Sequence, residues 1–241
     1  MPLINKMLGL LPWISYTGKY AQFGTRSKGW IELYSNGVLT VPDRLNLSCD
    51  LYLLSNGRDG TKYQYHSTGS QGGTYYWGEL RGNGGQGGTA MEYFSKVLKG
   101  DYSVVIGTPT TVGAEFTTTN GTISGGKGGT GRKWEKYGST GSGGDMTTDL
   151  PATAGKDGRI PFTGNTPLTD GLASKKLGAG GSGGEFTGVQ AQYNPPYLHR
   201  AGVLQEPYPN SGAGGYGSEG PNNNSPGGAG ATGIVIVRWG Y

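Results

Sequence analysis

The chain has 241 residues, of which 50 are glycine and 13 proline; the glycine share is about three times the usual one. With 33% hydrophobic and 15% charged residues, there is too little apolar side chain for a conventional oily core of this length. No long amphipathic periodicity is present, which argues against a helical bundle, a doubly wound α/β enzyme or a TIM barrel. The formal net charge is +4, but no basic run is longer than Arg132-Lys133 or Lys175-Lys176, so a nucleic-acid partner is not expected. No stretch approaches the roughly 18 apolar residues of a membrane span. The single Cys49 cannot build a disulfide framework and, set in an apolar run, reads as a buried thiol.

Residues 1–29 form a separate N-terminal segment in this reading. Its apolar lead contains Leu8, Leu10, Leu11, Trp13 and Ile14. The lead is short, Pro12 interrupts it, and no small-x-small cleavage site follows, so it reads as a docking or packing element, with a partner subunit as the docking candidate. Residues 30–241 form the main domain. Trp30–Tyr34 alternates and runs into Ser35-Asn36-Gly37, where Asn-Gly signals a hairpin to Val38–Val41. Leu45, Leu47, Cys49, Leu51 and Leu53 alternate with polar residues and Tyr52, the clearest strand in the chain. Residues 55–81 read as a polar, aromatic loop. Thr89–Lys99 suits a short helix or a strand, and Asp101–Ile106 a strand. Ile234–Trp239 is a nearly continuous β-branched strand. Together these predict one small antiparallel β-layer.

The glycines are in register. In Gly82-Asn83-Gly84-Gly85-Gln86-Gly87-Gly88 they recur every three residues in two phases. The same pattern returns at 125–131 and 178–184. Shorter versions are Gly138/Gly141/Gly144, Gly155/Gly158, Gly214/Gly217/Gly220 and Gly227/Gly230/Gly233. Three residues per turn is the polyproline II helix, which makes no internal hydrogen bonds. Its amides need partners elsewhere. Glycine on two of three edges lets neighbouring rods approach and bond through their backbones. The third edge, with Asn83, Gln86, Lys127, Thr130 or Ser182, is left for solvent. The predicted fold is mostly β and irregular: a β-layer carrying a stacked polyglycine/polyproline II sandwich, with aromatic loops between rods.

Val41-Pro42 followed by an alternating strand, Gly100–Gly107, and Gly230–Trp239 resemble the opening, middle and terminal strands of a glycine-rich domain common in phage tail proteins. The chain is similar to the distal tail-fibre adhesins of T-even-like bacteriophages over roughly residues 30–239. The resemblance implies a virion location at a tail fibre or tail tip. It also implies contacts with other tail or fibre subunits, and variable loops that bind a bacterial cell-surface receptor, protein or glycan. The chain departs from that pattern after Gly107, where Thr108-Pro109-Thr110 replaces glycine, and in the glycine-poor segments 145–177 and 185–211.

Catalysis finds no support in the residues. A nucleophilic triad needs a base, and the two histidines, His66 and His199, are isolated. Metal ligands are not clustered, no cofactor is implied, and no glycine run ends in the Gly-Lys-Ser/Thr of a phosphate loop. Aromatic rings beside Ser, Asn and Gly are instead the vocabulary of binding surfaces. The candidate receptor-binding residues are Tyr63, Tyr65, Tyr75, Tyr76, Trp77, Trp134, Tyr137, Asn222 and Asn223. If every rod reverses direction, loops 55–81, 132–137, 159–177 and 221–226 share the end away from the strands, and loops 145–154 and 185–211 lie near them. Two other readings remain: a structural fibre or baseplate component without receptor contact, and a non-viral glycine-rich extracellular or ice-binding protein.

Overall fold

The computed structural model describes residues 13–43, 45–62, 64–71, 74–80, 82–139, 146–150, 152–163, 171–184, 210–218 and 227–241. It is mostly antiparallel β-sheet, and no α-helix occurs among these residues. In chain order the strands are β1 (Ser15–Tyr16), β2 (Tyr20–Gly24), β3 (Gly29–Leu33), β4 (Gly37–Val41), β5 (Leu47–Leu54), β6 (Gln64–Gln71) and β7 (Thr74–Leu80). They continue with β8 (Ala90–Leu98), β9 (Gly100–Val105), β10 (Thr111–Val112), β11 (Phe116–Thr117), β12 (Lys133–Ser139), β13 (Met146–Leu150) and β14 (Ile234–Trp239).

Two five-stranded sheets, β2-β3-β14-β5-β8 and β1-β4-β9-β10-β11, face each other over one core. Ile31, Leu33, Leu51, Leu53, Val235 and Val237 from the first sheet meet Leu39, Val41, Val104, Val112 and Phe116 from the second. The alternation expected around Leu47–Leu53 supplies this face. The other face of β3, β5 and β14 is covered too. Segments 159–163 and 171–177 lay Phe162, Leu172 and Leu177 on Trp30, Tyr52, Ile234 and Ile236. That double coverage is why β14 is buried at every position and why its sequence is β-branched throughout rather than alternating.

The expected single β-layer is therefore a two-sheet sandwich. The expected Asn36-Gly37 hairpin is also corrected, because β3 and β4 lie in different sheets. A two-residue type I′ turn needs positive φ at both residues, and neither Asn36 nor Gly37 has it. Asn36 instead accepts the Ile106 amide on its Oδ1 at 2.8 Å, and the chain crosses to the opposite sheet. The described residues 13–29 do not part from the rest. β2 pairs with β3 across that boundary and β1 pairs with β4. Thr89–Lys99 resolves as strand β8.

Beyond the sandwich lie extended glycine-rich runs at 55–62, 82–89, 124–132, 152–158, 178–184, 211–218 and 227–233. They bond to one another through the backbone. Run 55–62 donates from Ser55, Arg58 and Thr61 to run 82–89, and from Gly57 and Gly60 to run 227–233. Run 82–89 donates from Gly82, Gly85 and Gly88 to run 211–218, and from Gly84 and Gly87 to run 124–132. Run 178–184 donates from Gly180 and Gly183 to run 152–158, and from Gly181 and Gly184 to run 82–89. Gly178 and Gly212 open their runs with positive φ, at 70° and 61°.

These runs leave no room for a Cβ on their inner edges. One placed at Gly84 would sit 1.9 Å from the Gly181 carbonyl oxygen, and one at Gly85 1.9 Å from that of Arg58. The opposing atoms are backbone, so no rotamer change relieves the clash.

The β-sandwich forms one end of this arrangement. At the other end, runs 55–62, 82–89, 124–132 and 152–158 continue into β6, β7, β12 and β13. These strands form a four-stranded sheet in the order β13-β12-β7-β6.

Candidate binding tip

Of the sequence-predicted receptor residues, Tyr65 lies in β6, Tyr75, Tyr76 and Trp77 in β7, and Trp134 and Tyr137 in β12. The expected loops 55–81 and 132–137 are thus largely strands, and they meet at one end as the layout required. Tyr137 is opposite Tyr76, Lys136 opposite Trp77 and Trp134 opposite Glu79, while Tyr65 is also opposite Glu79. Cross-strand partners share a face. The register therefore puts Tyr65, Tyr75, Trp77 and Trp134 on one set of alternate positions, and Tyr76 and Tyr137 on the other. Tyr63, Asn222 and Asn223 lie outside the described residues. The runs that bracket the segment carrying the two asparagines end at Ser218 and Gly227, beside Thr61 and Gly60.

Two assignments in the expected layout are reversed. Segment 145–154, expected near the strands, includes β13, which pairs with β12 at the tip. Of segment 159–177, expected at the tip, the described residues 159–163 and 171–177 lie at the base, where Arg159 and Leu177 exchange backbone hydrogen bonds at 2.8 Å. The cause is Gly138, taken as the start of a rod with Gly141 and Gly144. It is a strand residue, opposite Tyr75. Counting it as a rod inverts the ends assigned to the two loops that follow it directly.

The docking residues divide similarly. Leu8, Leu10 and Leu11 lie outside the described residues. Ile14 is 3% exposed and belongs to the sandwich core, and Trp13 packs edge-on against Trp239 with ring centroids 5.1 Å apart. Both are used by the fold itself.

The segment over the sandwich encloses a charged cluster that the sequence reading missed. Glu32, fully buried on β3, accepts from Trp30 Nε1 at 2.8 Å and Tyr34 Oη at 2.7 Å. It also pairs with the buried Lys175. Beside it, Arg238 donates to Asp50 at 2.8 Å and lies 4.2 Å from the Phe162 ring centroid. Glu92 accepts the Phe162 amide at 2.6 Å. Burial raises its carboxyl above the ordinary range, against the opposing pull of that amide and of Arg238. The only sequence signal was a glutamate where β3 alternation would put either face to use.

Lys175, paired with Glu32, and the Phe162 amide, bound to Glu92, hold the described parts of segment 159–177 to the sheet. Nothing there pairs a nucleophile with a base. Among the described residues no group of His, Cys, Asp and Glu could hold a metal ion. Burial, with Asp50 beside it, pushes the Cys49 thiol up to about 12, so it is a packed side chain and not a reactive thiolate. No helix among the described residues is long and apolar enough to cross a membrane. No family model, curated protein or solved structure matches the chain.

Proposed function

We propose that the glycine runs are threefold polyglycine II rods stacked in two layers, and that they hold out a non-catalytic, receptor-binding tip of the phage tail-fibre type. One layer would hold runs 55–62, 82–89 and 124–132. The other would hold 227–233, 211–218, 178–184 and 152–158. Three features support the rods. Amides at 84 and 85 bond while Gln86 does not, and 87 and 88 bond again. The same two-then-gap pattern surrounds Ser182 and Tyr216. At each gap stands a side chain, as a three-residue turn demands.

The observation that carries the functional reading is the direct continuation of these runs into β6, β7, β12 and β13. Aromatic strands held on such supports present contact area at low ordering cost, which is what a receptor-binding surface needs. Its chemistry suits a protein or glycan on a bacterial surface.

The register provides a test. Purified protein is incubated with host-range panels of whole bacteria, and pull-down is compared for Tyr75→Ala/Trp77→Ala and Tyr76→Ala/Tyr137→Ala. One pair should abolish cell binding while leaving the thermal unfolding of the sandwich in place. Cell binding unaltered in both variants would contradict the tip assignment and favour a fibre spacer.

A further inference from the structure

Outward-facing positions of the runs line up across the slab. The backbone bonds set the levels: Arg58 donates to Gln86 and Lys156 to Lys127, while Gly87 donates to Gly126 beside Lys127. Arg58, Gln86 and Lys127 therefore form one transverse row on neighbouring runs of one layer, continued by Lys156 on the edge run of the other layer. Arg58, Lys127 and Lys156 are exposed. None of the three makes a side-chain hydrogen bond or ion pair among the described residues.

The row toward the tip is Thr61, Asn83, Thr130 and Thr153. Here Thr61 accepts the Asn83 amide at 2.7 Å, Asn83 accepts that of Gly131 at 2.8 Å and Thr153 that of Thr130 at 2.8 Å. The row toward the base holds Ser55, Thr89 and Ser124. These rows contain no acidic residue. The opposite face of the slab differs, with Ser182, Tyr216 and Ala231 half-buried and Ala179 and Ala213 buried at corresponding positions.

We infer that this flat face binds an acidic polysaccharide along the row Arg58–Lys127–Lys156. Hydrogen-bonded backbones lie about 5 Å apart. Cations on neighbouring or next-neighbouring runs are thus spaced for acidic groups on successive or alternate units of a linear polymer. The exposed flanking groups, Thr61, Asn83, Ser124, Thr130 and Thr153, suit sugar hydroxyls, since each oxygen retains hydrogen-bonding capacity; Ser55 is buried and its hydroxyl accepts the Thr89 amide. Because the supports are bonded backbone, the ordering cost on binding is confined to the side chains.

Other polyanions fit less well. Single-stranded nucleic acid is held by aromatic stacking as well as charge, and none of these rows carries a ring. A membrane surface calls for apolar insertion beside the cations, and the face offers none. The inference uses the rod registry but not the tip, so it stands or falls separately from the receptor reading.

The test is retention on immobilised polygalacturonate, with neutral dextran, oligo(dT) and phosphatidylglycerol vesicles as comparators. The full chain should bind polygalacturonate at low salt and release as salt rises, and Arg58→Gln/Lys127→Gln/Lys156→Gln should weaken binding at least tenfold. Lys19→Gln/Lys28→Gln/Lys96→Gln removes the same charge elsewhere and should change it less than twofold. Equal losses in the two triple variants would reduce the effect to net charge and overturn the proposal. So would no binding by the full chain, or tighter binding to oligo(dT) or vesicles. Only side chains change in the first variant. If its unfolding midpoint nevertheless drops, Lys127→Gln alone and Lys127→Arg/Lys156→Arg decide the matter. The first should lose binding and the second keep it.

Discussion

The base and the slab cohere by different means. In the base, Ile31, Leu33, Leu51 and Leu53 are fully buried, and each such side chain contributes about 1.5–3 kcal/mol through apolar burial. In the slab the buried groups are amides and carbonyls, bonded at distances such as 2.7 Å from Gly85 to Gly215 and 2.8 Å from Gly181 to Gly85. A neutral backbone hydrogen bond contributes only about 1 kcal/mol net, but leaving one buried and unmade costs more. The slab is therefore tolerant on its outer edge and intolerant on its inner edges. The base tolerates truncation gradually, in proportion to the volume removed.

The largest expected effect follows from that difference. Gly85→Ala drives a methyl group into the Arg58 carbonyl and should cost about 3 kcal/mol or more. Gln86→Ala, one residue on and facing outward, should stay within about 0.5 kcal/mol of the parent. Urea unfolding of both variants reads the contrast. Equal, small losses would mean that the run is not packed on its inner edges.

The next effect lies in the base. Lys175→Met strips Glu32 of its cation while Trp30 and Tyr34 still donate to it. Breaking a buried pair costs about 3–5 kcal/mol, whereas replacing both partners with apolar groups is far milder. Glu32→Leu/Lys175→Met should therefore recover much of the loss in thermal unfolding. A double variant as unstable as the single one would mean the pair is not what secures the segment over β3.

The smallest effect is a pH dependence. Burial raises Glu92 above its unfolded value, so the folded state holds that proton more tightly. The fold gains from this group below the unfolded pKa and loses that gain as pH rises through the folded one. Glu92→Gln keeps an acceptor for Phe162 and removes the titration. Relative to the parent it should gain stability between acid and neutral pH. Denaturation midpoints measured across that range check the slope, and a relative loss on raising the pH would contradict the sign.

Legibility in the sequence followed the same division. The strand around Leu47–Leu53, the terminal strand and the three-residue glycine spacing were readable because each is a local periodicity. In Gly82–Gly88 the expected bonding between runs is present, since Gly84, Gly85, Gly87 and Gly88 donate to neighbouring runs while Asn83 is exposed. Asn36-Gly37 misled because the same dipeptide here carries the chain between sheets, with Asn36 tied to Ile106. Gly138 misled because a glycine within a strand has the same local signature as one opening a rod. The tip strands were hidden in segments read as loops, although Thr74–Trp77 has strong β-propensity. What joins them is a long-range pairing that no local pattern records. The charged cluster at Glu32 was invisible for the same reason, its partner lying at Lys175 on a distant segment.

Amide hydrogen exchange, read residue by residue, addresses the backbone lattice most directly. The account predicts slow exchange at Gly84, Gly85, Gly87 and Gly88 with a fast gap at Gln86. Slow amides should likewise flank fast gaps at Ser182 and Tyr216. Protection alternating every second residue, or uniformly fast exchange through these runs while β5 and β14 stay protected, would contradict it.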